Sequence, residues 1–90
     1  MDNHPGEFVY ATKGRDSGKC FIVITAKDNY LYLCDGKSRK VSNPKKKKIK
    51  HVEFTGVSDE FIVNRLAQVG KLTNKEVRYS LMRFLSETTD

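Results

Sequence analysis

The sequence holds few cysteines, two, and few histidines, two, and it contains no apolar run of the roughly 18 residues that a membrane span requires. No transmembrane helix is therefore expected. The opening Met1-Asp2-Asn3-His4-Pro5 has no basic stretch leading into an apolar one, so no secretory signal is expected and the reading is of a cytoplasmic protein. Cys20 and Cys34 sit inside apolar runs, the setting of buried, unpaired thiols in a reducing compartment. A zinc site would need two more ligands, and only His4 and His51 exist to supply them, at no recognised spacing. The sequence also lacks a nucleophile elbow, a phosphate loop and a metal-ligand cluster. Asp16 and Asp35 lie near glycines, where turn chemistry accounts for them. No enzymatic activity, metal or cofactor is expected. No internal repeat is present.

Acid is missing from one segment. Residues 37–51 hold eight Lys/Arg and no Asp or Glu. Residues 1–36 hold four basic and five acidic side chains, and residues 52–90 five and six. The segment's +8 and the −1 on each flank account for the formal +6 of the chain. Solubility needs charge, but not charge gathered into one strip. A basic strip between near-neutral flanks has the form of a polyanion site.

With 38% hydrophobic and 31% charged residues, the composition is that of a folded chain rather than a disordered one. Ninety residues make one small domain with a small core. The first half has the pattern of strands. Residues 7–12 form a short β-prone run, and residues 13–18 a turn with two glycines free to take positive φ. Residues 19–26 are rich in β-branched and aromatic side chains. Asp28-Asn29 suits a two-residue hairpin turn, Tyr30-Leu31-Tyr32-Leu33-Cys34 is the return strand, and Asp35-Gly36 ends it. The basic strip follows as a loop interrupted by Pro44, and residues 49–54 can form a fourth strand. Four or five short strands with tight turns point to a small barrel, whose closure removes exposed edges.

The period then changes. Ser58 is placed to cap a helix beginning Asp59-Glu60-Phe61, with Ile62, Leu66 and Val69 along one stripe and Gly70 as its stop. Thr73-Asn74-Lys75-Glu76 has capping-box spacing, and Val77, Leu81, Phe84 and Leu85 form the stripe of a second helix whose outer face includes Lys75 and Arg78. The two helices are expected as a hairpin. The expected division is a barrel over residues 1–56, including the strip, and a helical hairpin over residues 57–90.

The segment from Gly6 to Ile24 resembles a KOW motif, a glycine-led strand, a basic turn and an apolar second strand, with Gly18 in the place of the motif's defining glycine. Phe8 stands where many such motifs carry a polar residue. The later Asp35-Gly36-Lys37-Ser38-Arg39-Lys40-Val41 and Asn43-Pro44-Lys45-Lys46-Lys47-Lys48-Ile49-Lys50-His51 are similar to short bacterial KOW-domain RNA-binding proteins, themselves similar to large-subunit ribosomal proteins. With the helical tail, the resemblance covers nearly the whole chain. It implies an SH3-like β-barrel followed by a two-helix tail, RNA binding, ribosomal RNA as the foremost partner, ribosomal proteins as further partners, and a place in translation.

Candidate RNA-binding residues follow from charge and position. Lys37, Arg39, Lys40, Lys45, Lys46, Lys47, Lys48, Lys50 and His51 come from the strip, and Lys13, Arg15 and Lys19 from the motif turn. Lysines supply salt-sensitive phosphate affinity, while arginines can fork or stack. Tyr30 and Tyr32, if they face outward, stack unpaired bases; such residues more often close a small core with the hydroxyl wet. The competing readings are a solvated loop, a polybasic membrane-surface segment lacking any lipid anchor, a protein-interaction adaptor built on the barrel and helices, and a non-specific DNA-binding protein.

Overall fold

The computed structural model describes residues 4–87. Its elements run β1 (Glu7–Ala11), β2 (Cys20–Lys27), β3 (Tyr30–Cys34), β4 (Lys45–Lys48), a 3₁₀ turn (Ile49–His51), β5 (Val52–Ser58), α1 (Glu60–Gln68) and α2 (Asn74–Glu87). The five strands make one antiparallel sheet in the order β4-β3-β2-β1-β5. Strands β4 and β5 are neighbours in sequence and lie at opposite edges of the sheet. A flat sheet of that order would be about 19 Å across at ~4.8 Å per strand. The link between them, four Cα steps, reaches at most about 14 Å. The sheet is therefore curled, with its edges drawn toward one another.

Curling gives the sheet an inner and an outer face, and both are buried. Val9, Ala11, Phe21, Val23, Leu31 and Leu33 form the inner cluster, with Ala26, Ile49, Val52 and Phe54 against it. Phe8, Ile22 and Cys34 point the other way, into a second cluster with Ile62, Leu72, Val77, Leu81 and Phe84 from the helical region. The continuous run Phe21-Ile22-Val23 is the mark of a strand covered on both sides. Phe8 is apolar because α2 covers it. Its ring stacks on Phe84 at 4.1 Å with 8° between planes, a contact that stabilises by about 0.5–1.5 kcal/mol beyond burial.

The turn between β1 and β2 closes as its two glycines suggest. Gly18 has φ +87° and donates to the Ala11 carbonyl at 2.8 Å. The β2–β3 turn is two residues long, and Asp28 takes φ 57°, which a short polar side chain tolerates. Gly36 (φ +77°) is held against α2, where an added Cβ would lie 2.5 Å from the Asn74 carbonyl oxygen. Arg78 donates to the Gly36 carbonyl at 2.9 Å, and the Asn74 side chain accepts from Val41 N–H at 2.8 Å. Arg78 is thus a latch between α2 and the loop after β3, not a free outer-face residue.

Four expectations need correction. The lysine run is a strand, not a loop: Lys45–Lys48 pair with Leu33–Tyr30 along β3. The strand expected from residue 49 begins at Val52, because residues 49–51 are needed to carry the chain from one sheet edge to the other. The cap of α1 is Asp59 rather than Ser58. Asp59 Oδ1 accepts from Phe61 N–H at 2.9 Å, while Ser58 is still paired in β5 with Glu7. Val69 lies past the last turn and is exposed, so the α1 stripe ends at Leu66. The capping box of α2 forms as expected: Glu76 N–H donates to Thr73 Oγ1 (3.1 Å) and Thr73 N–H to Glu76 Oε1 (2.9 Å).

Candidate nucleic-acid interface

Seven of the basic residues form two groups, one around His51 and one around Asp16. The first surrounds His51 at the end of the 3₁₀ turn. Lys47 Nζ donates to the Lys13 carbonyl at 2.5 Å, which fastens β4 to the β1–β2 turn. Thr12 N–H donates to the His51 carbonyl at 2.9 Å, and Ile49 N–H to that of Asn29 at 2.9 Å. These bonds gather Lys13, Lys47, Lys48 and Lys50 on His51. Desolvation, and then the positive charges of Lys50, Lys13, Lys48 and Lys47, hold its imidazole below the usual histidine value. Residues 34 positions apart in sequence thus share one positive field.

The second group is tied to Asp16. Its carboxylate, nearly buried, faces Arg39 at 3.3 Å and Lys19 at 3.7 Å. Burial pushes the Asp16 carboxyl up. The hydrogen bond from Arg39, and the charges of Arg39, Lys19 and Lys45, outweigh that and leave it below the ordinary carboxylate value. Arg39 and Lys19, both candidate phosphate ligands, therefore spend part of their charge on an internal partner. Asp16 itself does more than shape a turn: it joins the β1–β2 turn to the loop that precedes β4. Arg15 is exposed on that turn, and Lys37 and Lys40 are exposed on residues 35–44. Asp35 closes this loop by accepting from Lys37 N–H (2.9 Å), Arg39 N–H (2.8 Å) and Ser38 Oγ (3.1 Å).

Strand geometry divides the lysine run. Lys45 and Lys47 stand opposite Leu33 and Leu31, on the inner side and half-buried; Lys46 and Lys48 stand opposite Tyr32 and Tyr30, on the outer side and exposed. Alternation along a strand makes one run serve two faces. The sequence pattern, which weighs charge by segment, does not carry this split. Lysines on an edge strand also oppose pairing with other chains.

The remaining chemistry is quiet. Cys34 is buried and free, its thiol pushed up to about 12 by burial and by Asp35; Cys20, half-buried and free, is pushed up to about 11 by burial. Both stay as thiols at neutral pH. His4 stacks on Phe54 at 4.2 Å and bonds Glu7 at 2.7 Å. Among the described residues no three His, Cys, Asp or Glu side chains cluster as a metal site would need, and no helix is long and apolar enough to cross a membrane. No protein-family model matches the chain, and no curated protein is significantly similar to it.

Proposed function

We propose that the curled sheet is a small SH3-like barrel and that the protein binds RNA, ribosomal RNA foremost, through the basic face at β4 and the β1–β2 turn. The observation that carries this reading is the convergence of Lys13, Lys47, Lys48 and Lys50 on His51. The positive field that these lysines place on His51 favours a polyanion, which releases counterions as it binds. The adaptor reading needs an exposed apolar stripe on α2. Val77, Leu81 and Phe84 are buried against the sheet and Leu85 is 43% exposed, so only one edge of that stripe is open to a partner.

The test uses the outward lysines. Lys46, Lys48 and Lys50 replaced together by Gln lose three charges from exposed positions and leave the Lys47 contact with the Lys13 carbonyl in place. If all three meet phosphates, the slope of log K against log salt for a structured ribosomal RNA fragment flattens by about 2–3 units, at ~0.7–0.9 per contact. Affinity falls at least about tenfold, ~1.4 kcal/mol. An unchanged slope in a folded variant would show these lysines to be a solvated edge.

A further inference from the structure

The helices cover only half of the outer sheet face. Over that half lie Ile22 and Cys34, sealed under α1 and α2. Beyond it, β2 carries a bulge between Val23 and Thr25, after which Thr25 and Lys27 turn outward opposite Tyr32 and Tyr30. Lys46 and Lys48 flank the same tyrosines from β4. Two cross-strand rows result: Thr25-Tyr32-Lys46 and Lys27-Tyr30-Lys48. Tyr10 packs against the helix-side core, but Tyr30 and Tyr32 join neither core cluster. They are half-buried on this face, which the lysines rim. An open groove of about 510 Å³ beside Tyr30 is lined by Asn29, Lys48, Ile49 and Lys50.

Resting on the RNA-binding reading above, we propose that this outer face is a stacking platform for two successive unpaired bases of the RNA, one on Tyr30 and one on Tyr32. Lys46, Lys48 and Lys27 hold the phosphate between them and those on either side. Residues two apart on a strand are about 6.6 Å apart, roughly twice the ~3.4 Å per nucleotide along a duplex strand. That spacing fits an extended single strand and misfits a duplex, whose base faces are already stacked. Tyr30 is at present covered by a cation: Lys46 Nζ lies 4.5 Å from its ring centroid. An exposed cation–π contact is weaker than base stacking. An arriving base therefore displaces the ammonium, which is left beside the backbone phosphate. The Asp28 carboxylate at the adjoining turn is outnumbered by the three lysines.

The test compares an eight-nucleotide single strand carrying 2-aminopurine with an RNA duplex of the same length. The wild-type protein is expected to quench 2-aminopurine fluorescence and to prefer the single strand. Tyr30→Leu/Tyr32→Leu is expected to abolish the quenching and weaken single-strand binding at least tenfold. Its duplex affinity and its salt slope stay as in the wild type. Tyr30→Phe/Tyr32→Phe keeps the rings and is expected to bind and quench as the wild type does. Binding without quenching, a duplex preference, or a folded Leu variant equal to wild type overturns the platform while leaving RNA binding in place. Failure of the wild type to bind either RNA overturns the RNA reading itself, and the platform with it. Should the Leu variant not fold, wild-type quenching and the Phe variant still decide.

Discussion

Asp16 shows how one side chain can tie together parts of the chain that have no local reason to meet. It lies on the first turn, and its partner Arg39 lies 23 residues later on the loop before β4. The carboxylate is nearly buried, so replacing it by an isosteric amide leaves Arg39 and Lys19 without their counter-charge. Asp16→Asn is expected to destabilise by about 1.5–3 kcal/mol, the usual scale for a hydrogen bond to a charged group. The pH dependence gives an independent check. The folded-state value of Asp16 is lowered, so its stabilisation is complete above the ordinary carboxylate pKa and is lost as pH falls through the folded value. Urea midpoints of wild type and variant should differ at pH 7 and converge in strong acid. A constant gap across that range would show that the charge is not the source of the effect.

At the scale of elements, the helical pair is fixed by polar groups as much as by its apolar stripes. Asp59 caps α1 with one oxygen and accepts from Ser80 Oγ of α2 with the other, at 2.6 Å. Ser80 is buried among Val77, Leu81 and Phe84 of its own helix. Asp59→Ala thus removes a cap worth about 0.5–2 kcal/mol and also leaves a buried hydroxyl unpaired, at a further ~1–3 kcal/mol. Thr73→Ala loses only the cap of α2, about 0.5–2 kcal/mol, and Ser58→Ala is expected to change little. Chemical denaturation of the three variants should rank them Asp59, Thr73, Ser58 by loss. A Ser58 loss as large as that of Asp59 would mean that the capping geometry is misassigned. The capping box at Thr73 was legible because it is a spacing of four adjacent residues. The choice between Ser58 and Asp59 was not, since both are good caps and only the pairing of Ser58 within β5 excludes it.

For the molecule as a whole, the proposed RNA binding would be coupled to pH through the basic face. Desolvation and four lysines depress the pKa of His51 in the free protein, so protonating it opposes folding. Stability is complete above the ordinary histidine value and declines as pH falls through the folded one. Phosphates bound at those lysines reverse the local field and raise the His51 value. The bound state would then take up a proton, and affinity would rise as pH falls through the bound-state value. Each unit of upward shift adds about a factor of ten on the acid side. Binding measured between pH 8 and pH 5.5 should show this rise, and His51→Gln should flatten it. A rise that persists in His51→Gln would assign the proton elsewhere.

The sequence by itself determined the local features. Strand against helix, the two-residue turn at Asp28-Asn29, the positive φ of Gly18 and the capping box of α2 each depend on residues within a few positions of one another. It also determined that positive charge is concentrated, since charge is additive along a chain. Three things were decided only by tertiary structure. Strand pairing placed β4 and β5 at opposite edges of a sheet whose curl draws them together, and turned the expected loop of lysines into an edge strand with two faces. The helices covered one half of the outer sheet face, which buried Phe8 and left Tyr30 and Tyr32 open. The meeting of turn 12–19 with β4 gathered Lys13 with Lys47 around His51 and joined Asp16 to Arg39. Each of these depends on which surfaces meet after collapse, and pairing between positions a dozen or more residues apart leaves no mark on the spacing of neighbours.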